Sequence, residues 1–421
     1  MNNSKRAIAL AVALGSLCAA PALAQYQPAP QTNAKGAQAA PAAEGRKYDL
    51  SNSGRKAIVA LQAAVTAKDA AAIAAAVTAA NAAAKTKDDR YVIGQLRLKA
   101  ALDAKDSAGI SGALEAMVAS GGATQDELVP LHTNLGKQFY AAKQYDRAAT
   151  EFEKVIAISP SNSDATVMLA EARKAQGRGG DAVALLQKGI AAKVAAGQKA
   201  PEEWYKRAVA LAFEAKMQTA NQLSRDWVAA YPTPTNWRDT LRLYQTTSGA
   251  DSDMLIDMQR LQRATGSLAG EGDYYRYASS TLAKGFPGEA KAVLEEGIAT
   301  KKISGSAAMF RDVLAAANSK VAADRASLPG LEKSALASAA ARQAMVTGDA
   351  YLGYGDYAKA AALYRAALTK SGVDANLANL RLGIALARSG DNAGAAVALR
   401  AVSGPRAEIA KYWLLYLSTR V

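Results

Sequence analysis

The sequence has little of what most catalytic and metal-binding chemistry requires. Across 421 residues there is one cysteine, Cys18, and one histidine, His132. A single thiol excludes a disulfide framework, a cysteine-based zinc site, an iron–sulfur cluster and covalently held c-type haem. A single imidazole excludes the two- and three-histidine metal sites. Aromatic residues make up only 6% of a chain that is 50% hydrophobic, so the core must be built largely from alanine and aliphatic side chains. No GxxxxGK(S/T) phosphate loop follows a strand pattern, no serine motif stands out from the helical background, and the carboxylates are scattered, so no glycosidase pair can be chosen. The expectation is a chain with no catalytic residue, no cofactor and no metal site, that is, a non-enzyme. The apolar content still excludes a wholly disordered chain. At this length an elongated array of repeats is favoured over one compact core.

The first 24 residues read as an address. Lys5 and Arg6 precede the apolar stretch of residues 7–20, and Pro21-Ala22-Leu23-Ala24 supplies a small-x-small pattern before Gln25. A spanning helix needs about 20 apolar residues, so no integral membrane span is expected after cleavage. Cys18 follows Leu17, where a bacterial lipoprotein signal has a small residue, and is read as part of the removed peptide. The segment is similar to a Sec signal peptide, which implies a periplasmic or secreted bacterial protein, possible association with the outer membrane included. Residues 25–45, rich in Ala, Pro and Gln without periodicity, read as a disordered tether.

The formal net charge is +14, from 51 basic and 37 acidic residues; without Lys5 and Arg6 it is 49 against 37, or +12. Such a field attracts acidic proteins, anionic polymers or an anionic surface. Nucleic acid is not expected as a partner of an exported protein.

Beyond residue 45 alanine-rich stretches of helical period run to the C-terminus with no convincing alternating strand, so the fold class is all-α. Internal repetition is the most informative signal. Residues 129–162, VPLHTNLGKQFYAAKQYDRAATEFEKVIAISPSN, place Leu135, Gly136 and Phe139 along one helix, Ala148 and Phe152 along a second, and Pro160 at its end. Small residues at Gly136 and Ala148 let the two helices approach, Phe139 and Phe152 fill the space between them, and Pro160 forces a turn. The unit resembles a tetratricopeptide repeat. Residues 163–196 keep Ala170 and Ala182; residues 201–234 keep Trp204, Ala208, Ala220 and Pro232; Trp237 and Tyr244 open a degenerate unit. Residues 271–304 keep Ala278 and Ala290. Residues 341–374 keep Gly348 and Ala360, and residues 376–409 keep Gly383 and Ala395.

The resemblance implies a right-handed solenoid of antiparallel helix hairpins. Two blocks, 129–304 and 341–409, are expected to flank an irregular helical connection over 305–340. Residues 46–128 read as two further hairpins, with Asp69 and Asp106 at their turns, which are either degenerate repeats or a helical cap. Residues 406–421, with Tyr412, Trp413 and Tyr416, read as a terminal helix that covers the end of the stack or offers its aromatics to a partner or membrane. His132 falls at a bulky packing position.

The family geometry puts the first helix of each repeat on a concave face. The positions mapped there are Thr133, Lys137 and Tyr140; Val167, Glu171 and Lys174; Tyr205, Val209 and Phe213; Tyr275, Ser279 and Leu282; and Met345, Asp349, Leu352, Leu380, Ile384 and Arg388. Of these, Lys137, Tyr140, Lys174, Tyr205, Phe213, Tyr275 and Arg388 are the candidate partner-binding residues, although inter-helix packing accounts for each as well. The Lys/Asn/Arg clamp with which some members hold a terminal carboxylate is not reproduced. The resulting expectation is a periplasmic scaffold holding a peptide or helix of another envelope protein. The alternative is a binder of anionic envelope polymer, such as an exopolysaccharide or peptidoglycan.

Overall fold

In the computed structural model residues 46–419 are described. The segment expected to be a signal peptide with Cys18, the expected tether, and Arg420 and Val421 at the end of the expected terminal helix lie outside the described residues. The described chain is all-α, with one isolated bridge between Ala340 and Ser371 as its extended pairing.

Among the described residues, nine helices come before residue 220: α1 (Asn52–Ala67), α2 (Ala70–Ala83), α3 (Lys87–Asp103), α4 (Ser107–Ala119), α5 (Gln125–Ala141), α6 (Tyr145–Ile158), α7 (Ser163–Ala175), α8 (Gly179–Ala195) and α9 (Glu202–Glu214). Eleven follow: α10 (Ala220–Ala230), α11 (Pro234–Thr247), α12 (Ser252–Ala264), α13 (Glu271–Ala283), α14 (Pro287–Ala299), α15 (Ala308–Ala337), α16 (Ala341–Gly353), α17 (Tyr357–Leu368), α18 (Ala375–Ser389), α19 (Asn392–Arg400) and α20 (Ala407–Thr419). The chain divides into two compact units, up to Ala220 and from Asn221 onward.

Local chemistry sets the helix ends. Ser51, Asp69, Asn162, Thr233, Asp251, Asp374 and Asp391 cap the helices that follow them by accepting from first-turn amides. Thr86 with Asp89, and Thr124 with Glu127, form reciprocal capping boxes. The second box starts α5 at Gln125, one turn before the repeat pattern begins, with Pro130 inside the helix.

A common turn joins the hairpins. Lys105, Lys143, Gly177, Lys216, Gly285, Gly355 and Gly390 are left-handed. In each case the next amide donates to a carbonyl five residues back, for example Asp106 N to Ala101 O at 2.9 Å and Gln144 N to Phe139 O at 2.8 Å. This is the six-to-one bond of a Schellman turn. The α3–α4 hairpin thus shares its turn with the clearer repeats although it lacks their aromatic residues.

The small-against-large logic recurs at matching positions. A Cβ on Gly136 would meet the Phe152 ring at 2.6 Å, one on Gly348 the Tyr364 ring at 2.8 Å, and one on Gly383 the Leu399 Cγ at 2.5 Å. Ala148, Ala182, Ala290, Ala360 and Ala395 are fully buried, as, very nearly, are Trp204 and Ala220. Pro160 and Pro232 lie just past the ends of α6 and α10.

In the first unit, hairpins α1–α2, α3–α4, α5–α6 and α7–α8 pack in succession, with α9 on α8. Asp89 ties the entering chain down: it accepts from Ser51 N and Oγ and from Lys85 and Thr86 N.

The second unit departs from a regular stack in two ways. Residues 308–337, within the expected irregular helical connection, form one 30-residue helix with Pro329 inside it. Only a narrow stripe of it is buried, at Phe310, Ala317, Leu328 and Ala335, and the exposed proline removes a backbone bond without disturbing a packed face. Helix α20 does more than cap an end. It packs on α12 and α18, Tyr412 Oη lies 3.2 Å from Ser224 Oγ on α10, and the Tyr412 ring sits 5.5 Å from Tyr244 on α11. One core therefore joins Trp237, Leu241 and Met258 to Tyr364, Leu386 and Trp413, and the unit closes on itself. As a result α12 is buried continuously from residue 256 to 262, and α18 from 380 to 387.

Candidate functional site

In the first unit, α5 and α7 are the first helices of adjacent hairpins, and a small pocket opens between them. Tyr140, Phe152, Val167 and Met168 form an apolar floor; Lys137, Asp164 and Glu171 stand at its rim. Tyr140 is partly buried and meets Tyr145 edge-on at 5.4 Å. Burial, then the Glu171 charge, pushes its phenol above the ordinary tyrosine value. Arg207 on α9 reaches across to α7 and grips Glu171 with both prongs, Nε to Oε1 at 2.9 Å and Nη2 to Oε2 at 2.8 Å. That hydrogen bonding holds the guanidinium above its ordinary value.

Lys137 and Tyr140, the groove candidates on α5, thus meet at one pocket with Val167 and Glu171. Lys174 lies one turn beyond Glu171 on α7 and is partly exposed. On α9 the expected register is corrected. Tyr205 is buried, with 6% of its surface exposed, while Phe213 stays 45% exposed. The left-handed turn residue of this hairpin, Lys216, comes one residue later relative to Trp204 than Lys143 does relative to His132. One residue rotates a helix face by about 100°, which carries Tyr205 inward and presents Lys206 and Arg207 instead.

The second unit offers a different surface from the one expected. Asp349, Leu380 and Ile384, mapped to the concave face, are buried at 3%, 0% and 1%, because α12 already fills that side. Met345 and Leu352 are buried too. Arg388 is engaged by its neighbour, its guanidinium 3.2 Å from Tyr357 Oη. Tyr275 remains exposed, with its ring edge-on to Phe310.

Two polar features escaped the sequence. His132 is buried as expected, but it packs as a hydrogen-bonded pair, Nδ1 to Glu151 Oε2 at 2.6 Å, with Lys154 on the other carboxylate oxygen. The interior of the second unit holds a charge network. Arg260 on α12 forks onto Glu289 of α14 at 2.9 and 2.8 Å and bonds Asp257 at 2.8 Å. Tyr277 Oη donates to Glu289 and Tyr364 Oη to Asp349. Arg381 on α18 pairs with Asp349 and lies 3.7 Å from Asp257. The i,i+3 spacing of Asp257 and Arg260 was visible in the sequence; their closure against Arg381, more than a hundred residues away, was not.

Residues 139–199 and residues 345–411 match tetratricopeptide repeat models, and the chain carries such repeats there. No curated protein sequence matches the chain significantly. Similar solved structures include the TPR2AB-domain:pHSP90-complex of yeast Sti1, at 13% identity over 70% of this chain and 99% of that one, with a TM-score of 0.25. Another is Naa15/Naa10 bound to HypK-THB, at 15% identity over 85% and 64%, with a TM-score of 0.31. A third is a tetratricopeptide repeat protein from Parabacteroides merdae, at 10% identity over 80% and 100%, with a TM-score of 0.25. Among the described residues, no helix is long and apolar enough to cross a membrane.

Proposed function

We propose that this protein is a non-enzymatic scaffold that holds a segment of a partner protein in the groove along α5, α7 and α9, and that it does so in the periplasm during assembly of the cell envelope. The observation that carries the binding reading is the apolar pocket on Tyr140, Val167 and Met168, open between adjacent repeats and rimmed by charged side chains. Apolar anchors seated in such pockets supply most of the energy of peptide recognition. Export rests on Lys5, Arg6, the apolar residues 7–20 and Pro21-Ala22-Leu23-Ala24. The anionic-polymer alternative gains no support from the charge distribution. Basic residues outnumber acidic ones 27 to 19 up to Ala220 and 24 to 18 beyond it, so neither unit concentrates the positive field.

A photocrosslinking residue placed at position 140 in living cells tests the reading. It should trap a discrete protein adduct in the periplasmic fraction, whereas the same residue at Val194, 57% exposed on α8, should not. Equal adducts at both positions, or none at 140, would sink it.

A further inference from the structure

We infer that the α5–α7–α9 groove selects an acidic peptide segment carrying one large aliphatic side chain, and that Arg207 is the residue that sets this charge preference; the inference rests on the groove being the binding site. The pocket floor of Tyr140, Phe152, Val167 and Met168 offers no polar partner beyond one phenol, so it suits an aliphatic side chain. The preference for its flanks follows from which charges at the rim are already neutralised.

Lys137 at the pocket and Lys174 one turn along α7 have no ion-pair partner among the described residues. Glu171 lines the same pocket as Lys137 and precedes Lys174 by three residues on α7, and would be the natural counter-charge for either. It is withheld from both because Arg207 occupies its two oxygens at 2.9 and 2.8 Å. The fork geometry makes that pairing far more exclusive than a lysine could. Asp164, the other acid at the rim, is exposed in the first turn of α7, where the helix dipole favours its charge in place. What the groove presents to a partner is therefore an apolar socket with two free ammonium groups and one carboxylate, a net positive rim that complements carboxylates beside the anchor.

Binding of fluorescent synthetic peptides to the full chain tests this. Three peptides share a central leucine and differ only in flanking residues: glutamate, serine or lysine. The glutamate peptide should bind about tenfold or more tighter than the others, the scale of charge-assisted contacts, and the margin should shrink with added salt. The double variant Lys137→Gln/Lys174→Gln should abolish the margin. Arg207→Gln should weaken the glutamate peptide and favour the lysine peptide by releasing Glu171, and adding Glu171→Gln should restore the original order. Arg207→Lys, which keeps the charge and loses the fork, should fall between. Equal binding of all three peptides that is still lost in Tyr140→Ala would overturn the acidic assignment while leaving the groove as the binding site. Preference for glutamate that is unchanged by Arg207→Gln would overturn the part given to Arg207. Failure of every peptide to bind would overturn the inference as a whole, with the crosslink at position 140 judging the groove separately.

Discussion

Gly136 of α5 and Phe152 of α6 are in such close register that a Cβ on the glycine would lie 2.6 Å from the ring. The spacing of that hairpin is thus set by the absence of one methyl group. Gly136→Ala should destabilise the first unit by about 1–3 kcal/mol through overpacking. In urea unfolding, Phe152→Leu should recover part of that loss in the double variant although it costs stability alone. Additive losses would mean that the two side chains do not share the space.

The Arg260–Glu289 pair should be costly to break and inexpensive to replace. Arg260→Met leaves the buried Glu289 without its ionic partner, a loss of about 3–5 kcal/mol, whereas Glu289→Gln leaves Arg260 its bond to Asp257 and should cost less. The double replacement by Met should cost less than the sum.

Acid should erode the same contact. Burial pushes the Glu289 carboxyl up, but the charge and hydrogen bonds of Arg260, and then the hydrogen bond from the Tyr277 hydroxyl, outweigh it, so the group sits below its ordinary value. A lowered folded pKa gives stabilisation that is complete above the unfolded value and is lost as pH falls through the folded one. The penalty for Glu289→Gln should therefore shrink between pH 7 and strongly acidic pH, read from urea midpoints. Asp349 carries the opposite sign. Burial outweighs Arg381 and raises it, so its contribution is lost as pH rises through that raised value.

Among the described residues, Lys143 is one of five lysines with a positive φ, here 59°, a conformation that costs a side chain about 1 kcal/mol or more and glycine almost nothing. Lys143→Gly should raise the thermal midpoint of the first unit slightly. A fall would show that the lysine side chain makes a compensating contact at the turn.

Trp413 is fully buried on α20, edge-on to Tyr416 at 5.5 Å. If α20 closes the second unit, Trp413→Ala should cost about 3–5 kcal/mol, and removal of residues 407–419 should expose enough core to bind a hydrophobic dye. A merely protective end cap would give a loss near that of an exposed helix.

The all-α class was legible because it depends on local periodicity and on pairs within one hairpin. Gly136 and Phe152, Gly348 and Tyr364, or Gly383 and Leu399 are sixteen residues apart and obey the same spacing each time. The left-handed turns were also within reach: a Gly or Lys stands at each of them. The groove was only partly legible. Lys137 and Tyr140 could be placed on α5, but the one-residue shift that buries Tyr205 cancels in the overall repeat length and leaves no mark on it.

Sequence alone determined that this chain would form helices, where they would pair, and that no familiar catalytic kit was at hand, because those properties follow from residue type and short-range spacing. Tertiary structure decided which surfaces remain open. Asp257 meets Arg381, and Tyr412 meets Ser224 across 188 residues, through contacts that no local period encodes. Their closure turns Leu380 and Ile384 from an expected binding face into core. In the first unit Arg207 engages both oxygens of Glu171 across 36 residues, a pairing set by the packing of α9 beside α7 and not by composition.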